Sequence, residues 1–567
     1  MERNPVHNML GVSAFFRHFL KVFVAWIFPV LVLGIGLAAF TWNSEQVFFG
    51  RNVYFTDGDC YARMTRVRLL QEHPLAPVRQ HDFENFPEGT RPHTTSPLDY
   101  LIAGLAVAMG TFSTAALSMA GAWISPILGL VMLAFLAVWG RGVPFRGAMI
   151  LLLAVSPIVS HGFLLGRPDH QSLLMLLVAM ALAAEVDLWT GKTKGPPRRK
   201  NTVAWASCPC LAGFPRMGRM PMPQEMADGA ASEIWISPRR MEWVSAVAWA
   251  LALWVSLFEP LILLSAVLLL RFCTRRLVLA RVPLAIFFAI LLVGFLVDGF
   301  HVAAFDAHFA NWSLNIGELR HGSFPVLFSW AGWLAVAAPF GLLAGYLQKR
   351  EPVYLLLCGL VALLAGLTLW YLRWGYFFVI AAALSLPWLL PLARWRFAGW
   401  GIFLLSLWPV AACWESTLYP DDAVFRARAE SVADAVALRE AAVQIKGLPV
   451  RGVLAPWWFS PAIVWWSGQP CVAGTSHQSL PGIADTAEFF LSEGSGREIL
   501  EKRKAGYIFA YEPERVVSNA AQTLGRPAPA NPLARRLYEH PRSAAYPLIY
   551  ANRYFRVFEY PQPGKSY

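Results

Sequence analysis

Charge is scarce in this chain. Only 15% of its 567 residues are Asp, Glu, Lys or Arg, and 56% are hydrophobic, whereas a soluble protein is about one-quarter charged. With a mean hydropathy of +0.45, the bulk of the chain belongs in a bilayer. Paired cysteines are also lacking. Cys60, Cys208, Cys210, Cys273, Cys358, Cys413 and Cys471 are scattered, and the one close pair, Cys208-Pro-Cys210, lacks the spacing of a zinc knuckle or a thioredoxin motif. Neither a disulfide framework nor a zinc site is expected. No internal repeat is visible, which argues against the repeated halves of many transporters. No small-residue cleavage site follows the first apolar run, Lys21 to Phe40, so that run reads as a retained anchor rather than a signal peptide.

What the chain has instead is aromatic and apolar. Its 24 Trp and 38 Phe suit a protein whose rings sit at headgroup level. The formal charge of +12 comes from short basic clusters between apolar runs, the pattern of cytoplasmic loops rather than of a nucleic-acid surface. Apolar spans are predicted near 21–41, 117–139, 147–163, 171–188, 242–257, 260–272, 282–299, 325–346, 353–370, 375–391 and 397–413, and 98–113 is a further stretch that dips into the membrane or crosses it. Placing the basic clusters in the cytoplasm leaves 42–97, the turn 164–171, the loop 300–324, the corner 371–375 and everything after Cys413 on the opposite side. The expected architecture is a multi-pass α-helical membrane domain over 1–413, with about eleven to thirteen crossings, and a soluble α/β domain over 414–567 outside the cytoplasm. Residues 191–241 read as a cytoplasmic insertion without helical or strand period, expected to be disordered. In the tail, DDAVFRARAESVADAVALREAAVQIK reads as an amphipathic helix, and VRGVLAP, AGYIFAYE and NRYFRVFEY as strands.

The polar residues that look least like scaffold fall in those outer segments. Asp57-Gly58-Asp59 offers two carboxylates, the oxygen ligands that Mg²⁺ and Mn²⁺ prefer, or else a turn with solvated acids. Gly166-Arg167-Pro168-Asp169-His170-Gln171 brings an acid, a histidine and an amide to the start of an apolar span, where Asp169 can equally cap a helix. Glu318, Arg320 and His321 lie in an outer loop that can also be a solvated hairpin. Arg373, between two apolar spans, either snorkels to headgroups or binds phosphate.

In combination these motifs resemble the catalytic subunit of oligosaccharyltransferases, in the glycosyltransferase-C superfamily. DGDCYAR is similar to the family's first acidic motif, HDFENFPEGTRPHTTSPLDYL to the loop that follows it, and GRPDHQ to its second acidic motif. IGELR resembles the external-loop glutamate segment, YLRWGYF the arginine corner, and the run from Val450 to Gly474 the start of the Trp-Trp-Asp-Tyr-Gly segment. The resemblance implies a metal-dependent, inverting transfer of glycan from a polyprenyl-(pyro)phosphate donor to a protein, glycan or lipid acceptor, with Mn²⁺ or Mg²⁺ as cofactor. It implies Asp59, Asp57 and Asp169 as metal ligands, Gln171 where archaeal members carry a ligand histidine, and His170 one position early. It further implies Glu318 orienting the nucleophile or completing the metal shell, Arg373 and His93 on the donor phosphates, and Trp457 and Trp458 at the acceptor. Asp59, Glu318 and Asp169 are thereby the expected catalytic residues. One departure is visible: Phe459 stands where the family reads its Asn-x-Ser/Thr acceptor with an aspartate, and a phenyl ring accepts no hydrogen bond. A glycosyltransferase-C enzyme with a lipid or glycan acceptor therefore stays open, as does a non-catalytic scaffold or transporter. The expected location is the plasma membrane of a bacterium or archaeon.

Overall fold

The computed structural model describes residues 27–561, apart from 72, 75, 93, 111–112, 191–237, 276–279, 300–307 and 543–544. His93, most of the basic insertion and the start of the 300–324 loop therefore lie outside the described residues. Among those described, seven helices are long and apolar enough to cross a membrane: Thr114–Trp139, His170–Thr190, Arg281–Asp298, Phe324–Lys349, Pro352–Trp370, Leu372–Leu392 and Arg396–Leu418. All seven coincide with expected spans. The remaining expected spans are helical over their described residues too, as Phe28–Phe40 (21–26 lie outside the described residues), Arg146–Val155 followed by Pro157–Gly162, Pro238–Val255 and Phe258–Cys273. The stretch 98–113 contains the helix Pro97–Ala108 of 12 residues, which at about 1.5 Å per residue falls short of a bilayer core.

Local breaks follow from local chemistry. Pro157 cannot continue the preceding helix, so Ser156 is extended (φ −68°, ψ 123°) and the chain restarts. Gly332 (φ +74°, ψ 163°) interrupts Phe324–Lys349, and a Cβ there would meet the Ser406 carbonyl oxygen at 2.4 Å. Only glycine suits both demands.

Two helices form the centre of the bundle. The apolar windows of His170–Thr190 and Leu372–Leu392 are 78% and 83% buried in protein, against 11% for Arg281–Asp298. The GRPDHQ and YLRWG corners are where these two helices begin. Their charged residues are thus mounted at the starts of the two most buried of the seven long apolar helices.

The C-terminal part opens with the expected helix, Asp422–Gln444, whose cap Asp421 accepts the Val424 N–H at 2.9 Å. A four-stranded sheet follows, in the order Gly452–Leu454, Ala505–Ala510, Arg556–Glu559, Leu548–Ala551; the first pair is parallel and the others antiparallel. Three of these strands match the sequence reading. Leu548–Ala551 is additional, an edge strand with mostly exposed side chains and hence no apolar alternation to reveal it. The domain is stitched to the segment 42–97: Cys471 N–H donates to Phe83 O at 3.0 Å, and Phe86 N–H donates to Cys471 O at 3.1 Å. Arg68 stacks over Trp465 at 4.8 Å and donates to the Trp465 carbonyl at 2.9 Å.

Candidate active site

Asp57 and Asp59 stand at the start of the helix Gly58–Leu69. Asp57 is its cap: the backbone is extended and Oδ1 accepts the Cys60 N–H at 2.9 Å. Gly58 is dictated from across the molecule. A Cβ there would lie 2.4 Å from Thr475 Cγ2 and 3.3 Å from the Trp458 carbonyl oxygen, so the acids sit directly under the C-terminal domain. Asp59 opens onto a crevice lined by Arg63, Arg66, His81, Glu84 and Asp169. It is accessible through that crevice yet enclosed by protein on its other sides. Burial first, then the charge of Asp57 and, more weakly, of Asp169 and Glu84, push its carboxyl well above the usual range, against the Thr475 hydroxyl.

The second acidic motif docks against the first. Gly166 has φ +75°, a Cβ there would lie 2.7 Å from Val47 Cγ2, and its carbonyl accepts the Thr56 N–H at 3.0 Å. Arg167 then projects into the centre of the acids, with Nη2 3.0 Å from Glu318 Oε1 and 3.3 Å from Asp169 Oδ2, and Nε 3.6 Å from Asp57 Oδ2. Tyr376 joins the same group, its hydroxyl accepting from Arg167 Nη1 at 3.2 Å and donating to Glu318 Oε1 at 3.3 Å. His170 Nδ1 lies 2.6 Å from Asp169 Oδ1. Burial opposes the charge of Asp169, but His170, Arg167 and Arg63 outweigh it and hold the carboxyl well below the usual range. Asp169 therefore uses its side chain on cations, whereas the capping carboxylate is Asp57.

The loop carrying Glu318 and the arginine corner are joined by their backbones. Leu372 N–H donates to Arg320 O and Gly322 N–H to Leu369 O, each at 3.0 Å, and a Cβ on Gly322 would meet Thr368 O at 2.3 Å. Glu318 and Arg373 thus share one end of the bundle with the two acidic motifs. Arg373 Nη2 is ion-paired to Glu259, which is fully buried and also accepts from Ser256 Oγ at 2.6 Å. Glu318 and Asp169 are within electrostatic reach of Arg373.

Several of these groups were not singled out from the sequence. Arg167 is the hub of the cluster, and Tyr376 and Glu259 hold it and its neighbour Arg373. Glu259, opening the apolar run FEPLILL, carries the one available signal: an acid at membrane depth demands a partner. Glu84 is another; it is buried on the crevice wall, and burial lifts its carboxyl to about 7 against Arg66, Thr475 and Ser479.

The side chains of Trp457 and Trp458 line a second pocket with Ile483, Phe490, Asn519 and Thr523, while the Trp458 carbonyl faces Gly58. Trp457 Nε1 donates to Asn519 Oδ1 at 2.9 Å, and its ring packs edge-on against Trp312 of the outer loop at 5.7 Å. Phe459 points elsewhere, into the domain interior between Tyr511 and Phe555, at centroid distances of 4.9 Å and 5.3 Å.

Among the described residues, no three His, Cys, Asp or Glu side chains are assembled into a group that could hold a metal ion. The donor chemistry nevertheless suits a hard cation. Asp57, Asp169 and Glu318 face the guanidinium of Arg167, Asp59 opens onto the crevice beside Asp169, and carboxylate oxygens are the ligands such ions take. Gln171 Oε1 is buried without a hydrogen-bond partner, and a side-chain amide oxygen is a ligand for such ions.

No family model and no curated protein matches the sequence. Solved structures do. The oligosaccharyltransferase of Archaeoglobus fulgidus in its apo form superposes with a TM-score of 0.63 at 14% identity, covering 92% of this chain and 73% of that one. The same enzyme tethered to an acceptor peptide containing the NVT sequon gives 0.63 at 14%, covering 90% and 72%. The archaeal oligosaccharyltransferase AglB of A. fulgidus with an inhibitory peptide and a dolichol-phosphate gives 0.58 at 15%, covering 91% and 72%. Seven apolar helices, a C-terminal sheet-containing domain and this superposition together give the chain the oligosaccharyltransferase-like glycosyltransferase-C fold of an integral membrane protein.

Proposed function

We propose that this protein is a membrane glycosyltransferase that moves a glycan, with inversion, from a polyprenyl-(pyro)phosphate donor to an acceptor at the outer membrane face. The observation that carries the reading is the convergence of distant motifs on Arg167, whose guanidinium lies 3.0–3.6 Å from Asp57, Asp169 and Glu318. In this reading Asp59, Asp57 and Asp169 hold a divalent cation, Mn²⁺ or Mg²⁺, with Gln171 Oε1 as the further oxygen. His170 orients Asp169 through their 2.6 Å contact rather than binding the cation. A bound divalent cation supplies charge stabilisation to the departing phosphate. Arg373, steadied by Glu259, binds the donor phosphates and keeps them at the bundle end. Glu318, fixed by Arg167 and Tyr376, orients the incoming nucleophile.

A second reading of the acceptor is favoured by Phe459. Its ring is turned into the domain interior against Tyr511 and Phe555 and offers nothing to a serine or threonine hydroxyl. The acceptor is then a glycan or lipid rather than a sequon peptide. One assay tests both points: purified protein with a lipid-linked oligosaccharide, Mn²⁺ and a sequon peptide. Donor turnover lost in Asp59→Asn supports the glycosyl transfer, and glycopeptide formation decides for a peptide acceptor. Turnover indifferent to Asp59, or none at all, rejects the reading.

A further inference from the structure

We infer that Glu84 is the base of this site, taking first the hydrogen bond and then the proton of the acceptor's nucleophile; the assignment rests on the glycosyl-transfer reading above. Glu84 is 3% exposed. One of its oxygens, Oε2, faces the Ser479 hydroxyl at 3.5 Å, while Oε1 is buried without a hydrogen-bond partner. A buried carboxylate oxygen left without a donor is costly, so an unsatisfied one on the wall of a crevice calls for a ligand that supplies a hydrogen.

The surroundings are built to hold that group. Backbone bonds to Cys471 on either side, from Phe83 and Phe86, clamp the segment carrying Glu84. Position 474 is glycine because a Cβ there would lie 2.5 Å from Glu84 Cδ and 2.7 Å from Oε1. The crevice that Glu84 lines is shared with Asp59 and Asp169. The other carboxylates are committed elsewhere. Asp57 caps a helix and faces Arg167, Asp169 faces His170 and Arg167, and Glu318 Oε1 is occupied by Arg167 and Tyr376. Among the carboxylates lining the crevice, Glu84 Oε1 is the one buried oxygen without a hydrogen-bond partner, Asp59 being given to the cation in the reading above.

The step balances without a further reactant. The oxygen or nitrogen of the acceptor forms its bond to the anomeric carbon of the donor sugar. The bond from that carbon to the phosphate oxygen breaks, and its electron pair leaves with the phosphate. The proton released from the nucleophile passes to Glu84 Oε1.

The test uses the full chain in detergent with a polyprenyl-pyrophosphate-linked oligosaccharide, following glycan release to water and transfer to a sequon peptide. Glu84→Gln preserves the shape of the side chain. It is expected to lower kcat by about 10²–10³ while leaving the KM for the donor unchanged. Glu84→Ala opens space beside Gly474, and added formate is expected to restore a measurable part of its turnover. Wild-type kcat in Glu84→Gln, an effect confined to the donor KM, or a folded Glu84→Ala that formate does not rescue would each overturn the assignment. A wild-type protein that does not turn over the donor at all defeats the glycosyl-transfer reading, and the assignment falls with it.

Discussion

Arg167 and Glu318 lie 151 residues apart in the chain and 3.0 Å apart in the structure. The same guanidinium reaches Asp169 at 3.3 Å and Asp57 at 3.6 Å, so one cation ties together three segments of sequence. A lysine carries the charge but not the planar fork that serves several carboxylates at once. Arg167→Lys is expected to lower donor turnover at least about tenfold and to melt earlier. Arg167→Met strips the buried Asp169 of one of its two partners and the more exposed Asp57 and Glu318 of theirs, and is expected to lower the melting temperature further than Arg167→Lys. Thermal melts and turnover of Arg167→Lys that match the wild type would dismiss the hub.

Glu259 and Arg373 make a second pairing that thermal unfolding can read. Removing either partner strands a buried charge, whereas removing both does not. Glu259→Gln and Arg373→Gln are each expected to destabilise the protein, and the double variant to lose clearly less than the two added together. Strict additivity in a double-mutant cycle would mean that the pair is not formed.

Gly58 is a test of how closely the C-terminal domain presses on the acidic motif. Alanine is ordinarily the better helix former by about 1 kcal/mol, yet here its Cβ would lie 2.4 Å from Thr475 Cγ2. Gly58→Ala is expected to cost about 1–3 kcal/mol, and Thr475→Ser, which deletes the offending methyl, to recover part of it. A Gly58→Ala protein as stable as the parent would show that the two segments do not touch.

Glu84 links stability to pH. Its carboxyl is lifted from 4.5 to about 7 by burial, so the folded state binds the proton more tightly than the unfolded chain. That contribution is complete below about pH 4.5 and is lost as pH rises through about 7. Its size is about 3 kcal/mol at most. Melting temperature measured across this window is expected to fall more steeply for the wild type than for Glu84→Gln. Parallel curves would contradict the shift.

The membrane spans were readable because apolar length is a direct record of bilayer thickness. Every expected span is helical over its described residues, and the four motifs meet at one end of the bundle. Arg167 lies inside one of the quoted motifs, yet sequence assigned it no role, because a lone arginine beside an acid looks like any exposed ion pair. Its importance comes from where Glu318 arrives, which no local pattern records. Glu84 was hidden for a related reason: in HDFENFPEGT it is one of several acids in a loop, and only the folded domain above it makes it buried. The edge strand Leu548–Ala551 escaped because its side chains face outward and carry no alternation. For Phe459 the sequence identified the departure from the family, and the structure showed where the ring goes.

The contact of the C-terminal domain with the segment 42–97 also sets an order of events. The acids at positions 57 and 59 emerge early in synthesis, but their roof, Thr475 and Trp458, and the residues seating Glu84, Gly474 and Ser479, come hundreds of positions later. A chain paused before them carries Asp57 and Asp59 with the crevice wall missing. On the glycosyl-transfer reading proposed above, nascent protein would therefore stay inactive until its sheet-containing domain has closed over the first loop.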